Sequence, residues 1–149
     1  MDSLITDELA SKISITRSYK DWPGRLVLVS GPEEIRILTE TLGAFTMNEI
    51  PAVAFCVLQR RGFEESGMGF RYEPGPFEGQ QNHKPRVTAF SPYGELLVGL
   101  EVFERLILRY FHEIIACAVQ VRHLALQLPS WIKFEGAVSE IKKRLEKGG

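Results

Sequence analysis

The stretch "RVTAFSPYGELLVG", residues 86–99, gives the clearest structural signal in the sequence. Two runs rich in strand-forming residues flank the tetrapeptide Ser91-Pro92-Tyr93-Gly94. Serine, proline and glycine at the first, second and fourth positions are typical of a type I turn. The stretch therefore predicts a β-hairpin, whose two strands are antiparallel.

The residues after this hairpin predict a long helix from about Glu101 to Arg122. Apolar side chains recur at helical spacing on one face: Val102, Leu106, Tyr110, Ile114, Cys117 and Val121, widened by Phe103, Ile107, Phe111, Ile115 and Ala118. An arc this wide indicates contact with both the sheet and another helix. The same window also holds several ionisable residues, among them Glu104 and Arg109, which argues against a membrane span.

The rest of the chain adds further helices and strands around this hairpin-and-helix unit. The patterns predict a short opening helix at 4–14, strands at 25–31, 51–61 and 67–73, and helices at 32–45 and 133–147. Helices and strands in this order indicate an α+β fold rather than alternating βαβ units. We expect one domain over residues 1–149, with a single antiparallel or mixed sheet of four to six strands. The sheet is expected to pack against the long apolar helix and two or three further helices.

The composition is that of an ordinary soluble protein. Of 149 residues, 44% are hydrophobic and 25% are charged, and 18 basic side chains nearly balance 19 acidic ones to give a net charge of -1. A chain with this balance lacks the basic surface that nucleic-acid binding requires. The N-terminus has no apolar signal region, so a cytoplasmic location with neither a membrane nor a nucleic acid as partner is expected.

Metal, cofactor and catalytic signals are weak in this sequence. Cys56 and Cys117 lie inside apolar runs and are expected to be buried structural thiols. His83, His112 and His123 make no pair at metal-ligand spacing, and the "GMGF" run lacks the third glycine of a nucleotide-binding loop. We therefore expect no metal, no cofactor and no enzymatic activity.

Aromatic, arginine and glutamate side chains in the middle of the chain are instead candidate partner-binding residues. They are Arg60, Arg61, Phe63, Glu64, Glu65, Tyr72, Glu73, Phe77 and Glu78. Aromatic residues and arginine anchor many protein interfaces, and binding residues concentrate on loops held by a rigid scaffold. The aperiodic stretch Glu73–Pro85 has a length at which loops tend to be functional or disordered.

Three segments in residues 87–145 also resemble a known family. They are "VTAFSPYG", "FERLILRYFHEIIACA" and "LPSWIKFEGAVSEIKKRL". Their layout is similar to that of small cytoplasmic immunity proteins of bacterial polymorphic-toxin systems, including contact-dependent growth inhibition, several of which join a strand hairpin to a long apolar helix and a Trp-led closing helix. The resemblance implies tight binding of one cognate toxin without chemistry, and it transfers no functional residue by position.

Two other interpretations remain open on the sequence alone. A small-ligand-binding or enzymatic α+β domain would have a pocket between the sheet and the long helix, lined by Tyr72, His83 or His112. A subunit of a larger assembly would expose an extensive apolar face. The sequence leaves the partner toxin, its binding surface and the oligomeric state undetermined.

Overall fold

The structure, a computed structural model, describes residues 5, 7–17, 26–73 and 85–148 and has an α+β fold. Its helices are α1 (Asp7–Ala10), α2 (Arg36–Ala44), α3 (Ile50–Gln59), α4 (Leu100–Val121) and α5 (Pro129–Glu146). Its strands are β1 (Ser14–Arg17), β2 (Val27–Ser30), β3 (Phe63–Glu65), β4 (Met68–Glu73), β5 (Arg86–Ser91) and β6 (Gly94–Gly99). Short 3-10 turns at Glu33–Ile35 and Leu124–Gln127 precede α2 and α5.

The main sheet is an antiparallel meander in the order β3-β4-β5-β6. The predicted hairpin at 86–99 is confirmed as β5 and β6, which are closed by the pair Ser91 and Gly94. Gly94 has a φ of 138°, a conformation that suits glycine because it lacks a Cβ atom. Ile5 forms a parallel bridge with Val98 beside β6, so β3 lies at the opposite edge of the sheet as far as the described chain shows.

A separate two-stranded sheet pairs β1 with β2. The prediction of a strand at 25–31 is confirmed by β2, whereas the predicted opening helix at 4–14 is largely wrong. Among the residues described in this range, the helix covers Asp7–Ala10 alone, and Ser14 begins the strand Ser14–Arg17. The physical reason is tertiary, because the backbone of β1 finds its hydrogen-bond partners on β2 and its packing partner on α4.

The predicted strand at 51–61 is wrong, because Ile50–Gln59 is the helix α3. Two local features begin this helix. The Glu49 carboxylate accepts hydrogen bonds from the Thr46 backbone N–H at 2.8 Å and from its hydroxyl at 3.0 Å, which is the glutamate half of a capping box, and Pro51 occupies the first turn. The buried residues of α3 lie on one face, which packs extensively against α5, but the run is apolar on its other sides as well, and Phe55 there is 52% exposed. A continuous apolar run of this kind has the same composition as a central strand, so composition does not distinguish the two.

One face of the main sheet forms the hydrophobic core together with the helices. Alternation along β4, β5 and β6 places Phe70, Val87, Ala89 and Val98 on this face, each at most 1% exposed. The predicted long helix is confirmed as α4, which packs against β5 and β6 and against α5. The predicted last helix is confirmed as α5, although it begins at Pro129 rather than at residue 133.

The predicted helix at 32–45 is confirmed as the turn Glu33–Ile35 followed by α2, and the strand at 67–73 is confirmed as β4. Cys56 and Cys117 form no disulfide bond. Cys117 is buried, and burial raises the pKa of the half-buried Cys56 thiol. Among the described helices, none combines the length and the apolar composition needed to cross a bilayer.

Candidate functional site

A buried carboxylate, Glu104, is the centre of the most extensive charged cluster in the described chain. Glu104 lies on the core face of α4, and its side chain is only 1% exposed. Its two oxygens accept four hydrogen bonds: from Arg60 Nε at 3.2 Å and Arg60 Nη2 at 3.0 Å, from Arg144 Nη2 at 2.8 Å and from Tyr72 Oη at 3.2 Å. A buried carboxylate is tolerated only with such compensation. We refer to Arg60, Tyr72, Glu104 and Arg144 as the Glu104 cluster.

The two arginines of this cluster connect α3 to α4 and α5. Arg60 follows the last residue of α3 in the left-handed conformation, with a φ of 54°. Arg144 on α5 also donates to the carbonyl oxygens of Leu58 at 2.8 Å and Val57 at 3.2 Å. These carbonyls lie in the last turn of α3, where backbone acceptors have no partner within the helix. The cluster therefore fastens three helices and β4 at one point.

Tyr72 is a member of this cluster and not an exposed contact residue, which corrects the sequence-based expectation. Its ring packs edge-on against Phe103, with centroids 6.0 Å apart, and against Phe70 at 6.1 Å. Burial, with a further contribution from the adjacent Glu104 carboxylate, raises the pKa of Tyr72 far above its usual value. The hydroxyl therefore stays protonated and donates to Glu104.

These positions bear on the small-ligand interpretation, in which Tyr72, His83 or His112 would line a pocket between the sheet and the long helix. The rings of Phe70, Tyr72 and Phe103 are in contact between β4 and α4, whereas His112 is exposed on α4. His83 lies outside the described residues. Within the described ranges, no three His, Cys, Asp or Glu side chains converge in a way that could hold a metal ion.

The other candidate residues divide into exposed and packed side chains. Arg61, Glu64 and Glu65 are exposed. Phe63 was expected to be exposed but is half-buried, because its ring packs edge-on against Phe45 with centroids 5.6 Å apart. Glu73 accepts hydrogen bonds from the Thr88 hydroxyl at 2.7 Å and from Arg71 at 3.3 Å, while Phe77 and Glu78 lie outside the described residues.

The exposed glutamates belong to the tight hairpin formed by β3 and β4. Its two-residue turn, Ser66 and Gly67, has φ values of 56° and 78°, as in a type I′ turn. This turn closes on the pair Glu65 and Met68. The pair that closes a two-residue turn is hydrogen-bonded, and the pairs of an antiparallel ladder alternate between hydrogen-bonded and non-hydrogen-bonded. Glu64 and Gly69 form the next pair, so the backbone N–H and C=O of Glu64 point away from β4, toward the sheet edge. Side chains also alternate, so the two carboxylates lie on opposite faces of β3.

Gly69 is required for the close pairing of β3 with β4. A Cβ atom at this position would lie 1.9 Å from the carbonyl oxygen of Phe63 and 2.9 Å from the Cα atom of Glu64. Both atoms are backbone, so they cannot move aside without separating the strands. Position 69 therefore has no room for a side chain while β3 stays on the sheet.

A pocket of about 470 Å³ opens beside the turn of this hairpin. The described residues that line it are Ala44, Phe45, Thr46, Glu49, Glu65, Ser66 and Met68. The α2–α3 connection supplies one wall and the β3–β4 hairpin supplies the other. Glu49, held by Thr46, and Glu65 add two carboxylates to a largely apolar surface, which we call the hairpin pocket.

Comparison with known proteins identifies no relative: no protein-family model, no curated protein and no solved structure matches the chain.

Sequence reasoning missed Glu104, Arg144 and Glu49. The partners of Glu104 lie 32 to 44 positions away from it along the chain, so no local spacing reveals the cluster. A usable signal was present in α4, where a glutamate interrupts the predicted apolar arc between Phe103 and Ile107. For Glu49, the signal was the Thr-x-x-Glu motif before an apolar run.

Proposed function

We propose that this chain is a non-enzymatic protein-binding module, acting as a cytoplasmic immunity protein that binds and neutralises a cognate toxin. One observation carries the proposal: Glu64 and Glu65 are exposed on a short edge strand directly beside the hairpin pocket. The layout resemblance over residues 87–145 supplies the more specific expectation of a toxin as partner.

The edge strand supports this function through its backbone as well as its side chains. The N–H and C=O of Glu64 face outward, and an edge strand that presents such groups can pair with a strand of another protein. Gly69 holds this strand close to β4, and Phe63 anchors it against Phe45 in the core. The contact surface is therefore mounted on a rigid support, which limits the entropy lost on binding.

The charge of this edge favours a partner with a basic surface. The overall charge of the chain is nearly balanced, but Glu49 and Glu65 line the hairpin pocket, and Glu64 lies on the other face of the same edge strand. Complementary charge at an interface raises the association rate and disfavours wrong partners.

Co-expression with the proteins encoded by neighbouring genes tests the proposal. We expect a stable complex with one of them, relief of its toxicity, and at least about tenfold weaker binding of the Glu64→Gln/Glu65→Gln variant, because interface charge pairs contribute about 1.5 kcal/mol or more. The matched control is Glu33→Gln/Glu34→Gln, which removes the same charge from another exposed pair and should bind like the wild type. The absence of a complex with any neighbouring gene product would reject the proposal.

A second candidate function, a subunit of a larger assembly, is favoured by a corner between α4 and α5. Five large apolar side chains there are exposed: Val119 58%, Val121 36%, Leu124 69%, Leu128 53% and Ile132 73%. Contiguous exposed apolar residues often mark interaction surfaces. Light scattering during size-exclusion chromatography tests this function: a concentration-independent monomer excludes self-assembly, whereas an oligomer abolished by Leu124→Gln/Ile132→Gln supports it.

A further inference from the structure

We propose that the hairpin pocket receives a lysine or arginine side chain of the partner protein. This inference rests on the proposed function, because it takes the occupant from a bound protein. It adds the chemical identity of the group that the site recognises.

The walls of the pocket fit the aliphatic part of such a side chain. Ala44, Phe45 and Met68 provide apolar surface, and methionine adapts its shape to an inserted group. Lysine and arginine have three or four methylene groups that pack on apolar surface while the charged end reaches polar atoms. The volume of about 470 Å³ lies within the range of small-ligand pockets and exceeds the volume of one side chain.

The charge at the pocket selects a cation. Among its described lining residues, the charged groups are the carboxylates of Glu49 and Glu65, and none is basic. Thr46 fixes the orientation of Glu49 through bonds of 2.8 and 3.0 Å to one oxygen, Oε1. A guanidinium or ammonium group that enters the pocket can form charge-assisted hydrogen bonds with a carboxylate there, whereas an anionic side chain is repelled.

The two walls come from separate parts of the chain that the core holds together. Phe45 lines the pocket and also packs against Phe63 and Phe70, with centroid distances of 5.6 and 6.3 Å. Met68 and Glu65 form the closing pair of the hairpin. The carboxylates are therefore presented on a preformed frame, and preorganisation reduces the cost of binding.

Methionine-methyl NMR with a small cation tests the inference directly. The chain has three methionines, of which Met68 lines the pocket. Titration with n-butylguanidinium should shift the Met68 methyl resonance saturably, with a dissociation constant on the order of millimolar, as expected for so small a ligand. Equal concentrations of n-butanol and pentanoate should produce less than about a tenth of that shift.

Neutral variants separate charge recognition from simple apolar binding. Glu49→Gln/Glu65→Gln should weaken n-butylguanidinium binding at least tenfold, and the glutamine at 49 still accepts the bond from Thr46, so the helix start is preserved. Glu33→Gln/Glu34→Gln should leave the titration unchanged. A Met68 shift that is absent, or equally large with n-butanol or pentanoate, overturns the inference.

The outcomes distinguish this inference from the proposed function. If a neighbouring gene product binds the chain but n-butylguanidinium does not bind the pocket, the cation site is rejected and the immunity function stands. If the cation binds selectively but no neighbouring gene product forms a complex, the immunity function is rejected and the cation site stands.

Discussion

Neutralising Glu104 should destabilise the protein strongly, because the change leaves two arginines without their counter-ion. In the variant Glu104→Gln, the side-chain oxygen still accepts hydrogen bonds. The new amide N–H₂ group is a donor, however, and cannot accept hydrogen bonds from the arginine guanidinium groups. Removing one partner of a buried ion pair costs about 3–5 kcal/mol. The Arg60 and Arg144 side chains remain 37% and 22% exposed, so water solvates part of the orphaned charge and the lower value, about 3 kcal/mol, applies.

Urea unfolding followed by the fluorescence of the buried Trp131 measures this change in the free energy of unfolding. The midpoint should fall while the slope with urea stays the same, because the surface exposed on unfolding is unchanged. In thermal unfolding, about 3 kcal/mol corresponds to a decrease in Tm of about 6–12 °C for a chain of this size.

Glu113→Gln is the matched control, since Glu113 pairs with Arg17 at 3.0 Å on the surface, with side-chain exposures of 33% and 38%. Surface pairs contribute about 0–1 kcal/mol, so this variant should unfold almost like the wild type. Adding Arg60→Met to Glu104→Gln removes one orphaned charge, and the double variant should lose less stability than the sum of the single changes. A Glu104→Gln variant that loses less than about 1 kcal/mol, or no more than the Glu113→Gln control, would refute this account of the cluster.

Three further perturbations give expected outcomes. Gly69→Ala should cost about 1–3 kcal/mol and expose the β3 amides to hydrogen exchange, because its Cβ meets the Phe63 carbonyl. Tyr72→Phe removes a hydrogen bond to Glu104 and should cost about 1–2 kcal/mol at pH 8 by urea unfolding. Since the folded-state pKa of Tyr72 is raised, wild-type stability should fall above about pH 10 as the unfolded tyrosine ionises, and this contribution should be missing in the variant. Replacing Phe77 and Glu78 together should weaken partner binding, measured by calorimetry, with Tm nearly unchanged.

Matched variants control these measurements. Gly136→Ala adds a methyl group where nothing lies within 4 Å, and in a helix it should be neutral or stabilising by up to about 1 kcal/mol. Tyr93→Phe removes the hydroxyl of a residue that is 71% exposed, and it should leave the stability unchanged at pH 8. The argument for Gly69 fails if the Gly69→Ala protein is as stable as the wild type. The argument for Tyr72 fails if the Tyr72→Phe protein shows the same loss of stability at alkaline pH, and the argument for Phe77 and Glu78 fails if replacing them lowers Tm strongly.

Elements with a local signature were predictable from sequence. The turn residues between β5 and β6 and the long apolar periodicity of α4 act within a few residues of each other, so a short window contains the information. The helix α3 was misassigned because its apolar composition matches that of a buried strand. The short motif at Thr46 and Glu49 and the proline at position 51 were the signals that separate the two structures.

The candidate sites were only partly predictable, because their members meet through tertiary packing. Glu64 and Glu65 were recognised as exposed glutamates by residue type alone. Their proximity to Glu49 depends on how the α2–α3 connection lies against the β3–β4 hairpin, which no local pattern records. Tyr72 was misjudged for the same reason, since its partner Glu104 lies 32 residues away on α4.

Hydrogen exchange of the complex tests the central claim, that the chain binds a partner protein through the edge of its main sheet. Mass spectrometry would measure the hydrogen exchange of the chain in complex with the neighbouring gene product and compare it with the exchange of the free chain. The account predicts new protection at residues 44–49 and 61–68, with little change at 119–132. Protection confined to 119–132, or none at the hairpin, would contradict it.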